Sequence, residues 1–341
     1  MEEIKSKQNQ LNKFDNNTDL RINFKDYFLR IAVIGKGNHF VPYRDALVNA
    51  INCFGFEAQG FDHIEYDFNP DVFLIINPFQ FDYNNFKYQN YIYAGIQTEQ
   101  IVNNEVYCLE MGLKNYKKLQ KYIKKYDLMF EWSPSSYRFL SKRYDNIYFF
   151  PHCNFNSMQY IDKYPTIEEK YDLFFIGWAT GIHDRREKLL RLLTEHYNVF
   201  PKYEIWGSEK EKAMLSSKIC LNLHFDNCLV YESPRMYEYI ANKRFVLTEK
   251  ISDSYPFVEG EDYDSFYIHN MIQKIDFYLS NSEERNRIAN NGFNKINKYM
   301  IDDNINILIE RLLLEKWIRK SKRQRIKNIL FHKIGYLNKK F

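Results

Sequence analysis

The segment FLRIAVIGKGNHFVPYRDALVNAINCF, residues 28–54, decides the fold class. Its first part, residues 28–35, is a short apolar run with the length of one buried strand. The run ends at Gly35-Lys36-Gly37, and apolar residues at helical spacing follow from 42 to 54. A strand, a glycine turn and a helix in this order form one β-turn-α unit.

The same alternation continues along the chain. Further strands are predicted at 56–61, 71–77, 91–96, 126–130 and 147–150, with helices at 114–125 and 134–142. The polar stretch 154–170 contains Pro165 and shows no period, which is typical of a linker. The pattern then restarts, with strands predicted at 171–177, 203–206, 219–223 and 244–247 and helices at 184–193, 209–215, 233–241 and 271–279. Residues 283–327 have an almost continuous helical pattern.

This order predicts an α/β protein with two Rossmann-like domains that face one another across a cleft. The length of 341 residues is about twice that of a typical domain. The predicted parts are a polar leader (1–27), a first domain (28–153), a linker (154–170), a second domain (171–300) and a C-terminal helix with a basic tail (301–341). Ligands are expected at the carboxyl ends of the parallel strands, in the cleft.

Composition excludes several classes of protein. Hydrophobic residues make up 45% of the chain and charged residues 27%, and no apolar run approaches the roughly 18 residues of a membrane span. The polar N-terminus lacks an apolar signal region, so we expect a cytoplasmic protein. The five cysteines are odd in number and form no C-x-x-C pair, which predicts free thiols.

The net charge of +4 is unevenly distributed. Ten lysines and arginines and no acid lie from residue 316 to the end, so residues 1–315 carry −6. A nucleic-acid enzyme usually carries its basic surface on the folded body. The acidic body therefore disfavours a nucleic-acid partner.

The most informative motif is LNLH at 221–224 followed by YESPRMYE at 231–238. Ser233 and Pro234 suit the start of a helix, so the helix would begin at Glu232 and carry Arg235 and Glu238 on its first turns. Side chains three apart on a helix are neighbours, and the three charges could simply form ion pairs on a solvated face. Because apolar strands flank the helix, a polar ligand is the alternative, and a carboxylate can accept from both hydroxyls of a ribose.

These motifs resemble the C-terminal core of GT-B glycosyltransferases, in particular the branch similar to the spore maturation protein CgeB. The resemblance covers residues 171–299 and is carried by these elements: Phe175-Ile-Gly177, Arg185-Arg186, Ser217-Lys218, Asn222-x-His224, Glu232-x-x-Arg235-x-x-Glu238, Thr248-Glu249, Phe257-x-x-Gly260-x-Asp262 and Arg285-x-x-Ile288-Ala-x-x-Gly292. Before residue 171 it is architectural, apart from Phe150-Pro-His152.

The resemblance implies a nucleotide-sugar donor, commonly linked to uridine diphosphate, bound by the second domain. Glu238 matches the carboxylate that binds the ribose, and Arg235 and Glu232 match positions near the phosphates and the sugar. His224 belongs to the matching strand end. Many retaining members have two glutamates separated by seven residues, whereas Glu232 and Glu238 have five between them.

The loop that begins at Gly177 has its own physical interpretation. A glycine-bearing loop that opens a helix presents backbone N–H groups to a phosphate, and Arg185 or Arg186 could add bidentate contacts. The alternative is that Asp184 caps the helix and both arginines are solvated.

The resemblance places the acceptor on the first domain, where catalytic side chains would follow the strands. His39, Asp62 and Glu99 are the candidates for a catalytic base, each with a surface or structural role as the alternative. Neighbouring strand-end candidates are His63, Asn77, Gln97 and Thr98. His152 follows Pro151 where the chain leaves the first domain, and could touch the donor or pack the hinge.

No metal and no cofactor are expected, since Asp262-Tyr-Asp264 matches a metal-binding D-x-D motif only formally. The predicted function is transfer of a sugar to a glycan, a protein or a lipid-linked acceptor, with a peripheral membrane contact through the basic tail as an open alternative. Two further alternatives remain: a sugar-nucleotide 2-epimerase-like enzyme, in which Glu232 could handle the proton, and a catalytically inactive binding module.

Overall fold

In the computed structural model, strands and helices alternate along the described residues, which are 28–87, 90–102, 105–107, 116–179, 184–202, 204–224 and 233–337. The strands are β1 (Arg30–Ile34), β2 (Glu57–Phe61), β3 (Val72–Ile76), β4 (Ile92–Gln97), β5 (Gln100–Val102), β6 (Glu105–Tyr107), β7 (Leu128–Glu131), β8 (Ile147–Phe149), β9 (Tyr171–Phe174), β10 (Ser217–Asn222), β11 (Val246–Glu249) and β12 (Asp264–Phe266). The helices are α1 (Val41–Cys53), α2 (Tyr116–Ile123), α3 (Pro134–Leu140), α4 (Asp184–Thr194), α5 (Gly207–Leu215), α6 (Ser233–Ala241), α7 (Met271–Ser280), α8 (Ser282–Ile296) and α9 (Ile301–Leu337). The predicted leader, residues 1–27, lies outside the described residues.

The first sheet has the strand order β2-β1-β3-β4-β7-β8, and every neighbouring pair is parallel. Ile31 and Val33 of β1 pack into one hydrophobic cluster, while Ala32 and Ile34 pack into another on the opposite face. A parallel sheet that is covered on both faces needs apolar residues on both faces, which explains the uninterrupted apolar run at residues 31–34 of β1. β5 and β6 pair separately as a two-stranded antiparallel ribbon.

The second sheet has the order β12-β11-β10-β9, again with parallel pairs. One isolated parallel bridge joins Leu173 of β9 to Val199 on its other side. The predicted strand at 203–206 is wrong, because Ile205 and Trp206 lie outside any strand and Tyr203 is outside the described residues. The bridge at Val199 takes the place of that strand, and Pro201, which has no N–H to donate, follows it closely.

The segment 154–170 joins the two sheets and is more than a polar linker. Phe155, Met158 and Tyr160 are buried in the hydrophobic cluster that also covers one face of each sheet. Asn242, just after α6, fixes the segment: its Oδ1 accepts from the Tyr160 N–H at 2.7 Å and its Nδ2 donates to the Met158 carbonyl at 2.7 Å. The hinge between the two halves is therefore packed and hydrogen-bonded.

The predicted C-terminal helix is interrupted, since α8 ends at Ile296 and α9 begins at Ile301. α9 returns to the first half, where it packs against α1, β4 and β7. Lys316 pairs with Asp71, and Arg319 pairs with Asp127. Five side chains of α9 are buried at helical spacing against the body: Ile305, Leu308, Ile309, Leu312 and Leu313.

Three cysteines fall within the described residues, Cys53, Cys153 and Cys220, and all three are free thiols. None of the described helices combines the length and apolar character needed to cross a membrane.

Candidate functional site

The carboxyl edge of the second sheet carries a polar cluster between two buried strands. Asn222 is the last residue of β10, and Thr248 occupies the neighbouring register position on β11. The Asn222 Nδ2 donates to Thr248 Oγ1 at 2.8 Å, and both residues are fully buried. Because parallel strands end at the same edge, the residues that follow them converge here.

Arg235 lies on the first turn of α6 and reaches this cluster. Its Nη1 donates to Asn222 Oδ1 at 2.5 Å, and its guanidinium lies 4.9 Å from the centre of the Phe175 ring. Glu238 lies one turn further along α6 and has different partners. The side chains of Arg235 and Glu238, which could have formed an i,i+3 ion pair on a solvated face, therefore extend in different directions. The Arg235 side chain is only partly exposed, at the edge of the sheet.

Gly177 follows β9 and borders the same guanidinium. Its φ of +135° lies in the region that favours glycine. A Cβ built on Gly177 would lie 2.7 Å from Arg235 Nη2, so a side chain here would displace the arginine. The glycine loop can therefore lie beside Arg235 because the backbone at Gly177 approaches the guanidinium closely. The following residues 180–183 lie outside the described residues.

Arg185, at the start of α4, makes a bidentate contact with a carboxylate of the protein. Its Nη1 donates to Glu249 Oε1 at 2.8 Å, and its Nη2 pairs with Glu249 Oε2. Glu249 also accepts from the His224 N–H at 2.7 Å, and the His224 carbonyl accepts from Arg185 at 3.2 Å. The bidentate face expected to bind diphosphate is thus occupied by Glu249, and the phosphate role of Arg185 stays a prediction.

Arg186 is buried rather than solvated, which corrects the alternative drawn from the sequence. Its Nε donates to the Leu223 carbonyl at 2.9 Å and its Nη1 to the Trp178 carbonyl at 3.2 Å. These two bonds connect the loop after β9 to the end of β10, so Arg186 positions the loop.

Glu238 lies between α6, α5 and the hinge segment. Its Oε1 accepts from the Tyr160 hydroxyl and pairs with Lys210. The Glu238 side chain keeps 19% of its surface exposed. Burial, followed by the nearby Glu238 charge, raises the pKa of Tyr160, so its hydroxyl remains a donor to this carboxylate. Glu232, the other predicted glutamate, lies outside the described residues.

The carboxyl edge of the first sheet holds a second polar cluster. Asn77 follows β3 and donates from Nδ2 to Glu99 Oε1 at 2.8 Å. Gln97, the last residue of β4, donates to the Glu99 carbonyl at 2.8 Å and to Glu131 Oε2 at 2.9 Å. Burial raises the pKa of Glu131 well above its usual value, despite hydrogen bonds from Ser133 and Gln97. A buried carboxyl and an amide thus fix the loop that carries Glu99.

The other two base candidates lie further out. Asp62 follows the edge strand β2, pairs with Arg44 at 2.6 Å and has a side chain that is 70% exposed. His39 is exposed in the loop after β1, with its ring 4.1 Å from that of Phe40. Glu99, in the short loop after the central strand β4, is the candidate that the fold surrounds with other polar groups.

His152 packs the hinge, one of the two roles left open by the sequence. Its ring stacks on Tyr43 with centroids 5.2 Å apart and meets Trp132 and Tyr237 edge-on at 5.0 and 4.9 Å. Burial lowers the pKa of His152 to about 3, so the imidazole is neutral at physiological pH. Tyr237 belongs to α6 and Tyr43 to α1, so the ring joins the two halves.

Each aspartate of the formal D-x-D motif is engaged by a lysine. Asp262 pairs with Lys295 at 2.5 Å, and Asp264 pairs with Lys274 at 2.5 Å. Asp264 also accepts from the Tyr278 hydroxyl at 2.6 Å. The two carboxylates hold α7 and α8 against the strand ends.

Sequence reasoning missed four residues of these clusters: Tyr160, Lys210, Glu131 and, as a partner of Arg185, Glu249. Glu249 was visible as an acid directly after an apolar strand, and Glu131 as an acid at the end of another. Tyr160 and Lys210 gave no local signal, because their contact with Glu238 spans 78 and 28 positions of the chain.

Residues 185–304 match a family model described as Glycosyl transferase-like, which covers about a third of the chain. The match includes β10 to β12, nearly all of α4, and α5 to α8, and it contains Arg185, His224, Arg235 and Glu238. No match to the chain was found among curated proteins.

Several solved structures are similar. Sucrose-phosphate synthase from Thermosynechococcus elongatus has 10% identity and a TM-score of 0.59, with 86% of this chain and 100% of that chain covered. Anabaena HepE in complex with UDP and glucose has 9% identity and a TM-score of 0.59, with 84% and 99% covered. The chain spans 54% of the length of TarM, at 13% identity and a TM-score of 0.48, with 72% of this chain covered. The predicted GT-B fold, two Rossmann-like units facing across a cleft, is confirmed.

Proposed function

We propose that this GT-B protein is a glycosyltransferase that moves a sugar from a UDP-linked donor to a hydroxyl of an acceptor. The observation that carries the proposal is the position of the family match. Residues 185–304 supply most of the polar carboxyl edge of the second sheet, where ligands of doubly wound sheets bind. The CgeB-like branch is the part of this family that the motifs favour.

The donor ribose is assigned to Glu238. Its contacts with Tyr160 and Lys210 both use Oε1, and part of the side chain is exposed. A carboxylate has lone pairs for several donors, so Glu238 can hold these two groups and accept from ribose hydroxyls as well. The uridine nucleotide is supported by analogy with HepE, whose structure contains UDP and glucose.

The diphosphate is assigned to the start of α6 and Arg235. No acid occurs in the first turn of α6, whereas α4 has Asp184 and Glu187 there. Unpaired N–H groups and the positive end of a helix dipole attract anions, and an arginine adds charge-assisted hydrogen bonds. These groups would stabilise the departing UDP, which is where negative charge develops. The D-x-D carboxylates are paired with lysines. We therefore propose that Arg235 and the N-terminal end of α6 neutralise the diphosphate in place of a metal ion.

The acceptor is assigned to the first sheet, with Glu99 as the base. In the transfer, the acceptor oxygen bonds to the anomeric carbon, the bond from that carbon to the phosphate oxygen breaks, and the proton passes to Glu99. Asn77 and Gln97 hold Glu99 from its carboxylate and its backbone respectively. The Asn77 Oδ1 is buried without a hydrogen-bond partner among the described residues, which suits an incoming acceptor hydroxyl.

A peripheral membrane contact would use the cations that follow Lys320. Lys316 and Arg319 are engaged by Asp71 and Asp127 on the body, so the early part of the basic segment anchors α9. Five further cations, Lys322, Arg323, Arg325, Lys327 and Lys333, lie on the same helix, and two more lysines lie outside the described residues. Basic residues near an anionic membrane contribute about 1 kcal/mol each.

Incubation of the purified protein with UDP-sugars tests the proposal against its two rivals. Slow release of UDP together with free sugar, by transfer to water, supports a transferase. Interconversion of the UDP-sugar without release indicates an epimerase, and saturable binding without turnover indicates a binding module. Absence of any UDP or UDP-sugar binding by calorimetry contradicts the proposal.

A further inference from the structure

His224 is fixed in the donor-side cluster by its main chain. It lies two residues after the end of β10 and is 1% exposed. Its backbone N–H donates to Glu249 and its carbonyl accepts from Arg185, so the ion pair of those two residues holds the histidine from both sides. The side chain therefore projects from a rigid strand end rather than from a loose loop.

The ring has one satisfied and one unsatisfied nitrogen. Nε2 lies 3.1 Å from the Lys250 carbonyl oxygen, and a carbonyl can only accept, so Nε2 carries the hydrogen. In the neutral imidazole, Nδ1 is then a lone-pair acceptor. Nδ1 is buried and has no hydrogen-bond partner among the described residues.

The unpaired Nδ1 acceptor restricts which groups of a ligand can bind to it. A buried acceptor left unpaired carries a desolvation cost, which a ligand that supplies a donor removes. The phosphate oxygens of a diphosphate only accept at neutral pH, whereas a sugar hydroxyl donates. The charged residues that hydrogen-bond to His224 are already in ion pairs, Arg185 with Glu249 and Lys250 with Glu259, so a neutral hydroxyl suits the position better than another charge.

We propose that His224 recognises the sugar of the nucleotide-sugar donor by accepting a hydrogen bond from a sugar hydroxyl at Nδ1. This inference rests on the proposed function, since it assumes that a UDP-sugar binds at this edge. It assigns Arg185 and Glu249 as positioning residues that act through the histidine.

Two variants of His224 test the roles of the two ring nitrogens separately. The amide of His224→Gln can reach the Lys250 carbonyl, as Nε2 does, but has no acceptor near the place of Nδ1. The shorter His224→Asn can put its Oδ1 near that place. Binding of UDP and of six UDP-sugars (glucose, galactose, N-acetylglucosamine, N-acetylgalactosamine, xylose and glucuronate) is measured by calorimetry for each protein, and the UDP-sugar that the wild type hydrolyses fastest is compared with UDP.

We expect His224→Gln to lower the affinity for that UDP-sugar about tenfold relative to the affinity for UDP, which corresponds to the loss of one buried neutral hydrogen bond. His224→Asn should restore most of the lost affinity. Equal weakening of UDP and the UDP-sugar, or no change in either, overturns the proposal. If the wild type binds no UDP compound, the proposed function fails instead.

Nitrogen-15 NMR of the imidazole gives a readout that does not depend on turnover. The His224 signals are identified by their absence from the His224→Gln spectrum. We expect the Nε2–H tautomer in the unliganded protein and a shift of the Nδ1 resonance with the UDP-sugar but not with UDP. A protonated Nδ1, or a shift of the same size with UDP alone, overturns the hydroxyl assignment in favour of a phosphate contact.

Discussion

Replacing Arg185 by alanine should destabilise the protein, because it leaves Glu249 buried without its cation. The Glu249 side chain is 7% exposed and that of Arg185 is 25% exposed. Removal of one partner of a buried ion pair costs roughly 3–5 kcal/mol. Since a quarter of the arginine is open to water and Glu249 keeps the His224 N–H, we expect a value at the lower end, about 3 kcal/mol.

A double-mutant cycle measured by urea unfolding isolates the pair. Arg185→Ala, Glu249→Ala and the double variant should give a coupling free energy of about 2 kcal/mol, because the double variant no longer buries a lone charge. Arg191→Ala is the matched control on the same helix. Arg191 pairs with Glu187 at the surface, with a side chain that is 76% exposed, and its loss should leave the unfolding free energy nearly unchanged.

The competing interpretation gives the opposite pattern. If Arg185 leaves Glu249 to bind diphosphate, Arg185→Ala should reduce UDP affinity far more than uridine affinity and change stability little. Additive effects in the cycle, with a selective loss of UDP binding, would refute the positioning role. Loss of stability with equal changes for UDP and uridine would support it.

Three further predictions test other parts of the site. Glu238→Ala should weaken UDP binding in calorimetry by roughly 1.5–3 kcal/mol, the range for hydrogen bonds to charged groups. The control Glu211→Ala removes a carboxylate with matching tyrosine and lysine contacts and should leave UDP binding unchanged, so equal effects of the two variants would contradict the ribose assignment. Burial holds the pKa of Glu131 above its ordinary 4.5, so above about pH 4.5 the folded state keeps a proton that the unfolded state has lost. The free energy of unfolding of the wild type should therefore fall relative to that of Glu131→Gln as the pH rises above about 4.5. Parallel pH curves for the two proteins would show that the buried carboxyl does not titrate. A chain ending at Lys320 should keep its fold but lose the salt-sensitive cosedimentation with anionic vesicles that we propose for the full chain; identical behaviour of the two chains would rule out a membrane role for the tail.

The sequence by itself determined the layered architecture and the positions of most elements. α6 begins and ends at the predicted residues, 233 and 241, and the predicted strands of the first sheet are present. This part was readable because strand and helix patterns reflect local backbone geometry and the burial of both sheet faces. The strand expected at 203–206 failed because Val199, close by, makes the bridge to β9.

Only the tertiary structure decided which charged side chains meet. The sequence placed Arg185 near a phosphate, but its partner is Glu249, 64 positions away. Glu238 pairs with Lys210 of α5 and with Tyr160 of the hinge segment, and neither contact follows from spacing on one helix. Such contacts depend on strand order and on the path of the chain between the sheets. Local periodicity carries no information on either, so the chemistry of the strand ends became visible only when the sheets were assembled.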